Sequence, residues 1–138
     1  MLDETDVIEA IALDLLKRGF FILRKTREDH NDVDIVASWP ETGAKILISA
    51  AGVSGSKAGR GRLEASYTES QIFYSISRAV RSALLMKGDL KFKPGDRLAL
   101  AFPDTPGFRE QLTAQKPVLD SFGIEVSLVS EDKKVRKL

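Results

Sequence analysis

The stretch "KILISAAGVSGSKAGRGR", Lys45 to Arg62, joins an apolar strand to an irregular cationic segment. The mainly apolar residues 45–50 predict a buried strand. The segment that follows places Lys57, Arg60 and Arg62 among small residues that let the backbone approach a partner closely. Such a segment can bind phosphate groups, and it can equally be a solvated surface loop.

The sequence on both sides of this strand alternates between helical and strand patterns. "TESQ" at 68–71 matches a capping box, and Thr105 with Pro106 resembles a helix cap followed by a first-turn proline. The turn "PETG" at 40–43 allows the flanking strands to pair as a hairpin. The predicted elements are helices at about 3–18, 68–87 and 105–121, and strands at 20–24, 33–39, 45–50, 96–102 and 124–129.

These elements predict a single α/β domain over residues 1–130 with the order αβββαβαβ. The first three strands suggest an antiparallel meander, and the final strand–helix–strand unit suggests a right-handed parallel crossover. A mixed sheet with helices on both faces is expected. Residues 131–138, "EDKKVRKL", are expected to be a frayed or extended basic tail.

Composition excludes several classes of function. The 138 residues suit one domain, and the formal net charge of +1 does not point to a partner by itself. The chain has no cysteine, which excludes disulfides, thiolate nucleophiles and zinc–thiolate sites. It has no apolar run near the ~18 residues of a membrane span, and its acidic start is not a secretory signal. A cytoplasmic protein without a membrane partner is expected.

This order of elements and the residues within it resemble the restriction-endonuclease-like superfamily, the PD-(D/E)XK nucleases. In that family a helical glutamate precedes a glycine–aromatic pair, as Glu9 precedes "GF" at 19–20, and a metal-binding aspartate on the second strand corresponds to Asp34. The family's third strand carries a carboxylate, a spacer and a lysine. The aligned "ILISAAG" has Ser49 and Ala51 at those two positions. The resemblance therefore implies the family's fold with a degenerate motif.

Metal-assisted cleavage of a phosphodiester needs concentrated charge to hold the ion and to stabilise the developing anion. Ser49 has no formal charge with which to hold magnesium, and Ala51 cannot orient or deprotonate a water molecule. No catalytic residues and no cofactor are expected, although Asp34 and Glu9 remain weak candidates for a metal site. The alternative is an active enzyme that uses magnesium or manganese, with Lys57 replacing the lysine and Glu64 replacing the carboxylate.

The predicted helix at 68–87 carries a polar side that is typical of a nucleic-acid backbone contact or of a solvated helix face. Its apolar stripe is predicted to comprise Ile72, Phe73, Ile76, Ala79, Val80, Ala83 and Leu84. The opposite side gathers Gln71, Tyr74, Arg78 and Arg81, and related nucleases place a glutamine on this helix near the site. Trp39, before Pro40, is interpreted as a packing or edge residue.

Three functions follow from these patterns. The first is a catalytically inactive nuclease-fold protein that binds DNA or RNA, or acts as a regulatory module, through the helix and loop cations. The second is an active metal-dependent nuclease with migrated catalytic residues. The third is a structural or regulatory interaction domain, such as a homodimer, that does not bind nucleic acid.

Overall fold

A computed structural model describes residues 2–25, 33–51, 68–89 and 91–138. In chain order, the elements are α1 (Glu4–Lys17), β1 (Phe21–Lys25), β2 (Ile35–Ser38), β3 (Lys45–Ala50), α2 (Glu69–Lys87), β4 (Arg97–Pro103), α3 (Pro106–Ser121), β5 (Ile124–Val129) and β6 (Val135–Lys137). None of the helices in these ranges is long and apolar enough to cross a membrane.

The described strands form one mixed sheet in the order β1-β2-β3-β4-β5-β6. The first three strands pair antiparallel, and β3 pairs parallel with β4, which pairs parallel with β5. The antiparallel meander and the parallel pairing of the last predicted strand are therefore confirmed. The prediction of an α/β domain with a mixed sheet is also confirmed.

The sixth strand differs from the prediction, because β6 lies in the segment that was expected to be a frayed or extended tail. It pairs antiparallel with β5, and Val135 packs against the core on the α1 side of the sheet. Beyond the strand, the N–H of Leu138 donates to the carbonyl of Val126 at 3.0 Å. The order of elements within the described residues is αβββαβαββ, and the sheet continues past residue 130.

The helices cover both faces of the sheet, as expected. Helix α1 packs on one face, and α2 and α3 pack on the other. Capping boxes fix where two helices begin: Asp3 exchanges hydrogen bonds with Asp6 at α1, and Thr68 does so with Gln71 at α2. The side chain of Thr105 accepts from the N–H of Phe108 at the start of α3. These local signals explain why the predicted helix boundaries agree with the structure.

Part of the sheet on the α2 side has no helix over it within the described residues. Helix α2 contacts β3 and β4, whereas Phe21 and Leu23 of β1 are 61% and 56% exposed. The ladder between β1 and β2 is irregular between Ile22 and Arg24, which leaves Leu23 as the extra residue. Strand β1 is therefore an edge strand with exposed apolar side chains.

The buried stripe of α2 is rotated relative to the prediction. Phe73 is 62% exposed and Leu84 is 45% exposed, so neither belongs to the core. Ser75 and Met86 are buried instead, because the side of α2 that meets the sheet is rotated away from Phe73 and Leu84. The buried residues of α2 are Ile72, Ser75, Ile76, Ala79, Ala83 and Met86.

Candidate functional site at the carboxyl end of the third strand

Ser49 and Ala51, the positions aligned with the nuclease carboxylate and lysine, lie where β3 ends beside β4. The main chain stays paired there, since the N–H of Ala51 donates to the carbonyl of Ala101 at 2.9 Å. The register pairs Ile35 with Ile48, so Asp34 lies opposite Ser49 one position further along. The structure thus brings Asp34 and Ser49 together as the hairpin predicts.

Asp34 is only 2% exposed, and its carboxylate forms part of the hydrogen bonding of the sheet. Its Oδ2 accepts from the N–H of Ala50 at 2.7 Å, and its own N–H donates to the carbonyl of Ile48 at 2.9 Å. Burying a carboxylate costs free energy unless hydrogen bonds compensate, and bonds to an ionised acceptor are the strong ones. Asp34 therefore helps to fix the end of the β2–β3 hairpin.

The two positions that depart from the family motif are enclosed by the fold. Ser49 is 6% exposed, and Ala51 is partly buried against the core on the α2 side. A hydroxyl group and a methyl group supply neither the negative charge that holds a divalent cation nor an amine that prepares a nucleophile. These side chains cannot perform the chemistry that the active family assigns to their positions.

Glu9 lies on α1, across the sheet from the core that Ala51 contacts. Its Oε2 is 3.0 Å from Nζ of Lys25, the last residue of β1, and both side chains are about a third exposed, at 34%. Lys25 was not identified from the sequence because the predicted strand ended one residue earlier, at Arg24. The position of Lys25 at the strand end could have been found only from the β1–β2 register.

Asp104 directly follows the last residue of β4, and it too was not identified from the sequence. Its Oδ2 lies 3.0 Å from Nε of Arg136, and its Oδ1 lies 2.7 Å from Nε of Arg109. The hydrogen bond from Arg136 and the nearby charge of Arg109 hold the pKa of Asp104 below its usual value. The two guanidinium groups neutralise this carboxylate and connect β6 and α3 to the end of β4.

A divalent metal is the cofactor that the family resemblance implies, and the donor set does not fit it well. Asp34 binds a backbone amide, and Glu9 pairs with Lys25. Among residues 2–25, 33–51, 68–89 and 91–138, no group of three or more histidine, cysteine or acidic side chains is arranged to hold an ion. No metal-dependent step can be derived from these residues. Lys57, Arg60, Arg62 and Glu64 lie outside the described residues.

The predicted polar side of α2 is exposed, with one residue engaged elsewhere. Gln71 accepts from the N–H of Thr68 at 2.9 Å and so completes the helix cap. Tyr74 is 59% exposed, and the guanidinium carbon of Arg78 lies 5.9 Å from the centre of its ring. Arg81, one turn further along, is also exposed. Tyr74, Arg78 and Arg81 thus form an exposed stripe, referred to below as the α2 stripe.

The α2 stripe differs from most other described arginines, though not from Arg24 on β1, because it has no acidic partner among the described residues. Neither Arg78 nor Arg81 forms an ion pair with a described acidic side chain, whereas Arg97, Arg109 and Arg136 each pair with a carboxylate. Unneutralised cations beside an exposed aromatic ring suit a phosphate backbone with adjacent bases.

The fold and the site together define a mixed-sheet α/β protein with a buried aspartate at the end of its central hairpin. The chain matches no family model, no curated protein and no solved structure. The resemblance to the restriction-endonuclease-like superfamily stays a prediction that rests on the motif positions and the order of elements.

Proposed function

We propose that this protein binds the backbone of DNA or RNA through the α2 stripe and the cationic segment at residues 57–62, and that it does not cleave its ligand. The observation that carries the proposal is the exposed pair of Tyr74 and Arg78, with Arg81 beside it and no described acidic side chain in ion-pair contact with either arginine.

The position of this cationic segment in the sequence supports the same surface. Lys57, Arg60 and Arg62 precede α2, and the helix begins at residue 69. Phosphate contacts from arginine and lysine supply most of the affinity of sequence-independent binding. An overall charge near zero does not oppose this, because binding depends on where the cations lie.

The lack of cleavage is supported by the chemistry at the motif positions. Asp34 is bound to the main chain, and the neighbouring Ser49 and Ala51 provide no second carboxylate and no lysine. Glu9, the other candidate metal ligand, is paired with Lys25. A protein with these side chains keeps a binding surface without the charge that phosphodiester hydrolysis requires.

The binding experiment compares two double variants that each remove two positive charges. Fluorescence anisotropy with labelled duplex and single-stranded oligonucleotides should show that Arg78→Ala/Arg81→Ala weakens binding by about tenfold, because two phosphate contacts are lost. Lys91→Ala/Lys93→Ala removes exposed cations from the loop between α2 and β4 and should leave the affinity within about twofold. Equal losses in both variants would show that net charge, rather than the α2 stripe, determines binding.

The cleavage experiment separates this proposal from the active alternative. Wild-type protein incubated with plasmid DNA and oligoribonucleotides should leave them intact with either magnesium or manganese. Metal-dependent cleavage that disappears in Asp34→Ala would establish the active nuclease instead. In that case Lys57→Ala and Glu64→Ala would test the two migrated residues.

A second candidate function is self-association through the edge strand β1. The observation that favours it is the exposure of Phe21 and Leu23 on a strand whose outer edge has no partner within the described residues. Exposed edges of this kind pair with other strands. Sedimentation velocity should then show a dimer that dissociates in Leu23→Lys. A monomer at all concentrations, together with no nucleic-acid binding, would contradict both candidates.

A further inference from the structure

A cavity of about 430 Å³ opens at the end of the sheet opposite Asp34, where β3 and β4 begin. Its volume lies within the range of about 300–1,000 Å³ that small-ligand sites occupy. The lining is mostly apolar and comes from the end of α1, the β2–β3 turn and the first residues of the two strands. The lining residues are Arg18, Phe20, Trp39, Thr42, Ala44, Lys45 and Arg97.

Two aromatic rings form a preformed wall of this cavity. The rings of Phe20 and Trp39 meet edge to face, with centroids 5.2 Å apart. The main chain at Trp39 is fixed by hydrogen bonds on both sides, to Ala44 at 2.9 Å and from Gly43 at 2.8 Å. The sequence predicted a packing or edge role for Trp39, and the structure also places it beside open volume.

The cationic side chains around the cavity differ in their partners. Arg18 pairs with Asp14 at 3.1 Å and lies over the ring of Phe20. Both Nε and Nη2 of Arg97 donate to Glu125 at 2.7 Å.

Lys45 is exposed, and its ammonium forms no hydrogen bond or ion pair with any part of the chain that the structure describes. The cavity therefore offers an aromatic wall and, at its rim, one lysine whose charge has no partner among the described residues. A ligand with one negative group beside a flat apolar body would complement both features.

We propose that this cavity binds a small planar aromatic molecule with one anionic group, whose ring packs against Trp39 and Phe20 and whose anion pairs with Lys45. Aromatic carboxylates and nucleoside monophosphates share this chemistry. The site is independent of the α2 stripe, because it lies on the α1 side of the sheet and at the opposite end of β3.

The only tryptophan of the chain provides a local reporter. In ¹⁵N–¹H spectra, the single indole N–H signal should shift saturably when 2-naphthoate is added. The uncharged 2-naphthamide should bind about tenfold more weakly, because the ligand no longer carries the negative charge that pairs with Lys45. A second titration uses adenosine monophosphate. Tighter binding of this ligand than of 2-naphthoate would show that the site prefers a phosphate group to a carboxylate.

Lys45→Ala should weaken binding of 2-naphthoate by about tenfold and leave binding of 2-naphthamide unchanged. The variant keeps the hydrogen bond from the backbone N–H of residue 45 to Oδ1 of Asp96, so the start of β3 is retained. Lys45 also borders a second cavity of about 390 Å³ on the α2 side, and Lys91 lines only that one. Lys91→Ala is therefore the matched control and should bind like the wild type.

Three results would overturn the proposal. The first is an indole signal that does not move at millimolar 2-naphthoate. The second is equal affinity of the wild type for the acid and the amide, which does not depend on any variant. The third is a loss of 2-naphthoate affinity in Lys91→Ala that equals the loss in Lys45→Ala, because this would place the ligand in the second cavity.

Discussion

Replacing Asp34 by alanine and, separately, by asparagine distinguishes a structural carboxylate from a metal ligand. Alanine removes the acceptor that lies 2.7 Å from the N–H of Ala50, and this amide belongs to a residue that is only 8% exposed. A hydrogen bond to a charged group contributes about 1.5–3 kcal/mol, and a buried amide left without a partner costs about 1–3 kcal/mol. The lost hydrogen bond and the unpaired amide describe partly the same effect, so the two ranges are not simply added. We expect Asp34→Ala to lower the free energy of unfolding by about 3 kcal/mol.

Asparagine keeps a carbonyl oxygen that can accept from the same amide. We expect Asp34→Asn to lower the free energy of unfolding by about 1 kcal/mol, because the bond to Ala50 keeps its acceptor and loses its charge assistance. Asp89→Ala is the matched control, because Asp89 accepts from the backbone N–H of Lys91 at 2.8 Å but is exposed. Asp89→Ala should lower the free energy of unfolding by less than about 1 kcal/mol.

Equilibrium urea unfolding measures these differences. With a slope of about 2 kcal/mol per molar urea, Asp34→Ala should shift the midpoint down by about 1.5 M. Millimolar manganese should change the midpoints of wild type and Asp34→Asn equally. The reasoning is refuted if Asp34→Ala unfolds within about 0.3 M of the wild type, or if manganese stabilises the wild type and not Asp34→Asn.

The other predictions concern the network around Glu125, the cap of α2 and the last strand. Hydrogen bonds from Arg97 lower the pKa of Glu125 to about 2 from 4.5, so its stabilisation is present above pH 4.5 and is lost as the pH falls towards 2. Glu125→Gln should therefore lower the free energy of unfolding by about 1–2 kcal/mol at pH 7, allowing for solvent screening, and by little near pH 2. A difference from the wild type that does not depend on pH would contradict this. Thr68→Ala should lower the free energy of urea unfolding by about 1 kcal/mol and speed hydrogen exchange of the first amides of α2. Unchanged exchange rates would argue against the cap. Val135→Asp should lower the free energy of unfolding by about 1–2 kcal/mol and remove the protection of the β6 amides from hydrogen exchange. No effect on either measurement would indicate a frayed tail.

The helices and central strands could be predicted because their signals are local. Asp3, Thr68 and Thr105 mark helix starts through side chains that bond to amides within three residues. The turn at 40–43 fixes the hairpin of β2 and β3, and the strand at 45–50 was predicted with its observed bounds.

The remaining features depend on contacts between distant parts of the chain. Strand β6 has only three residues and follows four charged ones, so its pairing with β5 left no clear periodic pattern. The side of α2 that meets the sheet is set by tertiary packing, which is why Phe73 and Leu84 were wrongly placed in the core. The bond from Ala50 to Asp34 depends on the β2–β3 register, so no local pattern could reveal it.

The salt dependence of duplex binding tests most directly whether Arg78 and Arg81 contact nucleic acid. Each phosphate contact adds about 0.9 to the slope of log K against log salt concentration. We predict that the slope of Arg78→Ala/Arg81→Ala is shallower than that of the wild type by about 1.8, and that the DNA recovered from magnesium-containing samples is intact. Parallel slopes for the two proteins, or DNA that the wild type has cut, would contradict the account.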